Sequence, residues 1–350
     1  MNTIVGNKRG YYFFRFFILG SVFILFFIAD LLLGSVIIPA GQVISLLFSS
    51  DGGGETLRTI ILDFRLPKAM TAVLTGAALS LSGLQMQTVF RNPLAGPYVL
   101  GISAGASLGV ALFVMGFSTI LSTALFTAHG SWPVALVAWA GSFLVLLLVL
   151  FVSARVNDIM TILILGILFT SAVTAIVSIL QYFSSESLLK AFIIWTMGSL
   201  GSVTRSQLVV LIPAVFSGII LAFMKIKDLN AFLLGENYAR SLGVSVISSR
   251  MIIFMSTSLL AGTITAFCGP IGFIGIAVPH ICRVLFKSAD HLVLVPAVLL
   301  TGSILMLFSD IVSQLPGFQA TLPVNSVTAL IGIPVIIYMI VKDKKFVSVQ

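Results

Sequence analysis

Apolar and polar positions alternate along this chain in long blocks rather than in short amphipathic repeats. About ten apolar runs are long enough to cross a bilayer as helices. They cover 13–34, 66–90, 97–115, 133–153, 160–182, 206–224, 251–268, 271–286, 292–313 and 325–341. The run 271–286 is short and carries Pro279 and His280. The first run follows Lys8, Arg9 and Arg15 but is too long for the apolar core of a signal peptide and lacks a clear small-residue cleavage site, so it is read as an uncleaved first span. The expected fold class is all-α: a polytopic membrane protein forming a single transmembrane domain over 1–350.

One block breaks the pattern. From Lys225 to Arg250 the chain reads KIKDLNAFLLGENYARSLGVSVISSR, a polar island between two greasy stretches. Asp228 and Asn230 are positioned to cap a short helix over 229–234. Gly235 breaks it, 236–242 forms a second short helix, and Gly243 ends that one as a C′ residue. Leu229, Phe232, Leu233 and Leu234 supply apolar contacts. Glu236 and Arg240 are spaced i,i+4 and can pair. A helix–Gly–helix of this kind reads either as a knob for a partner in water or as an ordinary solvated loop.

Composition agrees with a lipid-embedded chain: 59% of the 350 residues are hydrophobic and only 9% are charged, too little polar surface to solvate a soluble domain of this size. The net charge of +8 could suggest nucleic acid, but the placement of the basic residues argues otherwise. With the N-terminus in the cytoplasm, the inner segments hold Lys8, Arg9, Arg15, Arg91, Arg155, Lys225, Lys227, Arg240, Arg250, Arg283, Lys287, Lys342, Lys344 and Lys345 of the 19 Lys+Arg. The outer segments hold only Arg58, Arg65, Lys68, Lys190 and Arg205. That bias sets orientation, explains the basic balance without nucleic acid, and puts both termini and the polar island inside. Cys268 and Cys282 lie in apolar runs and read as free thiols, with no metal site indicated.

Polar stripes on the spans are candidates for a path through lipid. Thr71, Thr75, Ser82 and Gln85 recur along span two; Thr170, Ser171, Thr174, Ser178 and Gln181 share one face of span five. Ser and Thr can equally bond their own i−4 carbonyls; a stripe ending in Gln is harder to place against lipid. Gly101, Gly105 and Gly109 form two overlapping GxxxG units for close helix contact, and Gly269, Gly272 and Gly275 surround Pro270. Gly101-Ile102-Ser103-Ala104-Gly105 fits the hydrolase elbow but opens an apolar span instead of following a strand. No Gly-Lys dipeptide occurs, so the chain has no Walker A loop and any ATP-derived energy must come from a separate subunit.

Several motifs together resemble one family. Gly235-Glu236-Asn237-Tyr238-Ala239-Arg240-Ser241-Leu242-Gly243 is similar to the GExxAxxLG coupling motif of FecCD permeases, subunits of type II ABC importers for ferric siderophores, haem and cobalamin. Arg65-Leu66-Pro67-Lys68, the stretch GLQMQTVFRNPLAGPYVLG from Gly83 to Gly101, Trp195 to Ser199, GPIGFIGIAVPHICR from Gly269 to Arg283, and Leu322-Pro323-Val324 resemble further family motifs in order. In the last, Thr321 replaces the family's acid and Asn325 its glycine.

The resemblance implies a homodimer with a translocation path along its interface, spans five and ten prominent. It implies ABC ATPase subunits docking on Leu229, Leu233, Gly235, Glu236, Ala239, Arg240, Leu242 and Gly243. An extracytoplasmic substrate-binding protein would dock on Arg65 and Lys68 at the outer rim; Lys68 replaces an Arg of the cobalamin importer, and Gln314 aligns with a third family Arg. Thr170, Thr174, Ser178, Gln181 and Gln85 are the expected path residues, the bacterial cytoplasmic membrane the expected location, and no cofactor is expected. Two other classes compete: an ion-gradient transporter, for which Asp310 is the candidate acid, and an intramembrane serine hydrolase using Ser103 and His280.

Overall fold

The structure is a computed structural model that describes residues 2–34, 38–39, 41, 55–116, 131–156, 158–314 and 321–342. Lys344 and Lys345 lie outside the described residues, as do the side chains of Lys8, Arg9 and Lys342. Every regular element among the described residues is helical: α1 (Asn2–Leu32), α2 (Leu66–Val89), α3 (Ile102–Ala111), α4 (Trp132–Arg155), α5 (Ile159–Tyr182), α6 (Glu186–Thr196), α7 (Arg205–Met224), α8 (Ile226–Phe232), α9 (Glu236–Ser241), α10 (Val246–Cys268), α11 (Ile274–Phe286), α12 (His291–Gln314) and α13 (Val324–Lys342). A short helix, Glu55–Thr59, and a π-helical stretch, Ile60–Arg65, run directly into α2.

Among the described residues, seven helices are long and apolar enough to cross a membrane, and three shorter apolar helices lie among them. All ten correspond to the runs read from the pattern. The short helix α6 was not among them, because its eleven residues sit inside what reads as a polar connection.

α2 is the axis of the bundle. It packs against α12, α11, α10 and α7, and nearly every side chain from Pro67 to Phe90 is buried. Small residues make this possible, since helices in lipid associate by close van der Waals packing rather than by a hydrophobic drive. A Cβ on Gly76 would overlap the Gly302 carbonyl of α12, and one on Gly83 would overlap the backbone of Gly275 in α11. The overlapping GxxxG units do the same for α3: Gly105 faces Gly141 of α4, and Gly109 faces the Val137 carbonyl.

The break between α10 and α11 is fixed by its neighbours. Gly269 takes φ +75° and Phe273, a residue with a Cβ, takes φ +67°, which L-residues rarely adopt. Asn325 Oδ1 accepts from the Gly272 amide at 3.0 Å, and the Asn325 amide donates to the Met197 carbonyl at 3.3 Å. The Ser199 amide donates to the Cys268 carbonyl at 2.8 Å. The asparagine standing where the family motif has glycine therefore ties α13, the segment after α6 and the α10–α11 break together.

Candidate functional site

The polar island folds as two short helices, α8 and α9, joined at Gly235 (φ +104°) and ended at Gly243 (φ +83°), both of which require glycine-like backbone. The boundaries differ from expectation. α8 begins at Ile226, so Asp228 and Asn230 lie within it and cap nothing. Their side chains fasten the knob to the bundle. Asp228 Oδ2 accepts from Lys225 Nζ at 2.8 Å and from Ser249 Oγ at 2.6 Å. Burial raises the Asp228 pKa, but the hydrogen bonds from Lys225 and Ser249 and the Lys225 charge outweigh it and hold the carboxyl below its ordinary value. Asn230 Nδ2 donates to Asp290 Oδ1 at 2.8 Å. Asn230 Oδ1 accepts from the His291 amide at 2.9 Å and from its Nδ1 at 2.7 Å. His291 Nε2 is 2.8 Å from Thr88 Oγ1, in the last turn of α2.

The expected Glu236–Arg240 pair is not formed. Glu236 instead pairs with Arg250 at 2.5 Å, and Arg250 Nη1 also donates to the Val156 carbonyl at 3.4 Å. Arg250 is among the largest fully buried side chains. A guanidinium in that position needs a carboxylate far more than exposed Arg240 does, so tertiary burial overrides the local spacing. Two polar connections thus run from the knob into the bundle, one to the loop after α4 and one to the end of α2.

Burial divides the expected docking residues. Leu229 and Ala239 are fully buried and anchor the knob, together with Phe232. Leu233 is 36% exposed and Leu242 59%, while Arg240 is exposed. Leu234 (62%), read from the sequence as an apolar contact of the knob but not as a docking residue, and Tyr238 (51%), not singled out there, are uncovered apolar side chains of the knob alongside Leu242. Tyr238 sits beside Ala239 in the motif, but only the helix phase shows that it points outward.

A cavity of about 1220 Å³ opens beside the knob, lined by the 89–94 loop, Asp158 to Met160 of the α5 start, and Glu236, Tyr238 and Arg240. Asp158 caps α5, accepting from the Thr161 amide at 2.9 Å and hydroxyl at 2.7 Å. Those bonds, the Thr161 side chain's first, depress its pKa.

Deeper in the bundle, a cavity of about 440 Å³ is lined by Thr170, Thr174, Ser103, Ser107, Tyr98 and Asn325, with Phe273 and Phe192. It joins α5 and the start of α13, spans five and ten of the sequence reading. Thr170 and Thr174 also bond the i−4 carbonyls of Gly166 and Thr170, so the two readings of these hydroxyls coexist. Ser178 is exposed and Gln181 half-buried, neither lining that cavity. Gln85 does not line a path in this structure. It is fully buried, and its amide bonds Ser256 at 3.0 Å and Thr257 at 3.0 Å, joining α2 to α10; the polar atoms of α10 satisfy it inside the chain. Ser103 lines this cavity whereas His280 lines a different one near the knob, so the pair expected of a serine hydrolase is not assembled.

At the opposite end of the bundle, Arg65 Nη1 donates to the carbonyls of Leu31 at 2.8 Å and Leu32 at 3.0 Å, closing the end of α1. Lys68 Nζ pairs with Asp310 at 3.0 Å, and Asp310 is fully buried. Gln314 Nε2 donates to Asp310 Oδ2 at 2.9 Å and to Asp30 Oδ1 at 3.5 Å. Asp30 is 3% exposed; it lies inside the first apolar run, four residues before its end, and is a second buried acid beside Asp310, the one named from the sequence.

The model of the FecCD transport family matches residues 22–342. The chain belongs to the FecCD transport family. It is 34% identical over 326 residues to the hemin transport system permease of Yersinia pestis, covering 92% of this chain and 95% of that one. It is 35% identical over 285 residues to the vitamin B12 import system permease of Salmonella paratyphi A, covering 80% and 83%. A solved structure described as an inward-facing metal-chelate-type ABC transporter superposes with TM-score 0.79 at 26% identity, over 95% of this chain and 99% of that one. This FecCD chain is a multi-pass membrane permease of an ATP-driven importer.

Proposed function

We propose that two copies of this permease form a translocation path for a metal chelate or tetrapyrrole nutrient, driven by separate ATPase subunits that dock on the knob. The observation that carries the proposal is the knob itself. It holds Leu234, Tyr238 and Leu242 uncovered on a helix–Gly–helix bolted down by Leu229, Phe232, Ala239 and two buried polar connections. The cargo class follows the hemin and vitamin B12 systems to which the chain is similar. The path runs past Thr170 and Thr174, and Ser178 and Gln181 continue that face toward the second copy. The knob side faces the cytoplasm, in keeping with the bias of basic residues, and the membrane is the bacterial cytoplasmic one. A substrate-binding protein docks at the other end, where an incoming carboxylate competes with Asp310 for Lys68.

The ion-gradient reading draws little support. Asp30 and Asp310 lie in or near the last turns of α1 and α12, and among the described residues no acid sits midway along a long apolar helix. The test is reconstitution with an ABC ATPase in liposomes. Uptake of hemin, cobalamin or a ferric siderophore should require ATP and the binding protein. Uptake driven by an ion gradient without the ATPase would overturn the proposal.

A further inference from the structure

A second cavity near the knob, of about 500 Å³, is lined by Gln87, Thr88, Arg91, Pro93, Leu233, His280, Arg283 and Val284. Among the described residues no carboxylate lines it, unlike the larger cavity, which Arg91 also lines and which holds Asp158, Glu236 and Arg240. Two guanidiniums face it. Arg283 is half-buried and donates from Nη1 to the neutral Gln87 amide at 2.7 Å. Arg91 is exposed, and its guanidinium has no carboxylate partner among the described residues. Its backbone is held at φ +47°, a left-handed conformation unusual for a residue with a Cβ. Two like charges sharing a concave, partly apolar site repel each other and raise the local potential for an anion. A planar guanidinium fork suits a carboxylate or phosphate.

We propose that this cavity is an anion site that receives an acidic side chain of the ATPase subunit, beside the groove that takes the knob. The inference rests on the importer reading above. The choice of a protein carboxylate over a lipid phosphate comes from the wall. Leu233, on the exposed side of the knob, forms part of the same cavity, so a partner covering the knob also closes this site. Pairing across the interface would add specificity and speed encounter through charge complementarity.

The test measures binding of the ABC ATPase subunit to the permease in neutral detergent, at low and high salt, for wild type, R91Q and R283Q. Each variant should weaken binding about tenfold at low salt and flatten its salt dependence. R91Q removes an exposed group with no internal partner, so its thermal midpoint should stay at the wild-type value and its result stands even if R283Q folds poorly. A parallel arm measures retention of phosphatidylglycerol by the same variants. Unchanged ATPase affinity and salt slope in R91Q would overturn the site, and so would loss of phosphatidylglycerol without loss of ATPase binding. A wild-type chain that binds no ATPase would instead bring down the importer reading along with the site.

Discussion

The two ends of this bundle spend their charged side chains differently. At the end carrying Arg65 and Lys68, basic groups turn inward: Arg65 closes α1, Lys68 neutralises buried Asp310, and Gln314 bridges Asp310 and Asp30. At the knob end, Arg250 and Glu236 form an inward pair of the same kind. That end also keeps a surplus, however: Arg91 and Arg283 line a cavity with no acid among its described residues, and Leu234, Tyr238 and Leu242 stay uncovered. Charges satisfied within the chain hold helices together, whereas leftover charge and leftover apolar surface call for a partner. Under the proposed function, the stronger, more permanent partner belongs at the knob, and a partner that must compete for its contacts at the opposite end.

The largest expected effect breaks the knob. Proline at Ala239 removes the hydrogen bond that the Ala239 N–H donates to the Gly235 carbonyl, 2.9 Å in the native chain, and clashes in a fully buried position; it should cost about 3 kcal/mol or more locally. Aspartate at Leu233 puts a charge on the docking face. Neither variant should retain the ATPase on co-purification, although both should insert in the membrane. Undiminished ATPase yield from both would erase the contrast between the ends.

Next come the two inward ion pairs, which should behave alike if the comparison is sound. Glu236→Ala removes the carboxylate of the ion pair with the buried Arg250, and Lys68→Ala removes the cation of the pair with the buried Asp310. Each should destabilise by about 3–5 kcal/mol, read as a lower thermal midpoint in detergent. A midpoint shift for E236A alone would mean that Lys68 is held loosely and available for docking.

Charge reversal of Arg65 and Lys68 to Glu sharpens the picture at that end. Binding-protein affinity should fall and the residual binding should lose salt sensitivity. If affinity and salt slope stay as in wild type, the pair serves only the internal contacts described.

A cysteine scan of α5 is expected to show a smaller, graded effect. Cysteines at Thr170, Thr174, Ser178 and Gln181, in a chain lacking Cys268 and Cys282, should react with a water-soluble thiol reagent in a nucleotide-dependent way. Ile176 and Ile179, both exposed on other faces of the isolated chain, should react far less, because lipid covers them. Equal labelling all round the helix would remove α5 from the path.

The smallest effect concerns Asp228. Its pKa is depressed, so its contribution is fully present above the ordinary carboxylate value of 3.8 and is lost as pH falls through the lower folded value. D228N should cost about 1 kcal/mol at neutral pH, and the gap between the two proteins should close in strong acid. A gap that persists there would assign the effect to packing.

Much of this protein was legible from its residues alone. Apolar run length picked out ten apolar helices, seven of them long enough to span, because a bilayer leaves its core no alternative to helix. Gly235 and Gly243 marked the knob, because only glycine adopts their backbone without strain. The FecCD motifs pointed to the importer class. Side-chain partnerships were decided elsewhere. Glu236 passed over Arg240, four residues on, for Arg250, because a buried cation binds a carboxylate more strongly than an exposed one does. Gln85 left its stripe to bond Ser256 and Thr257, and Lys68 met Asp310 across 242 positions of sequence only because α2 and α12 pack through Gly76 and Gly302. Spacing along a chain reports which groups can meet within one helix; burial and close packing between helices decide which of them do.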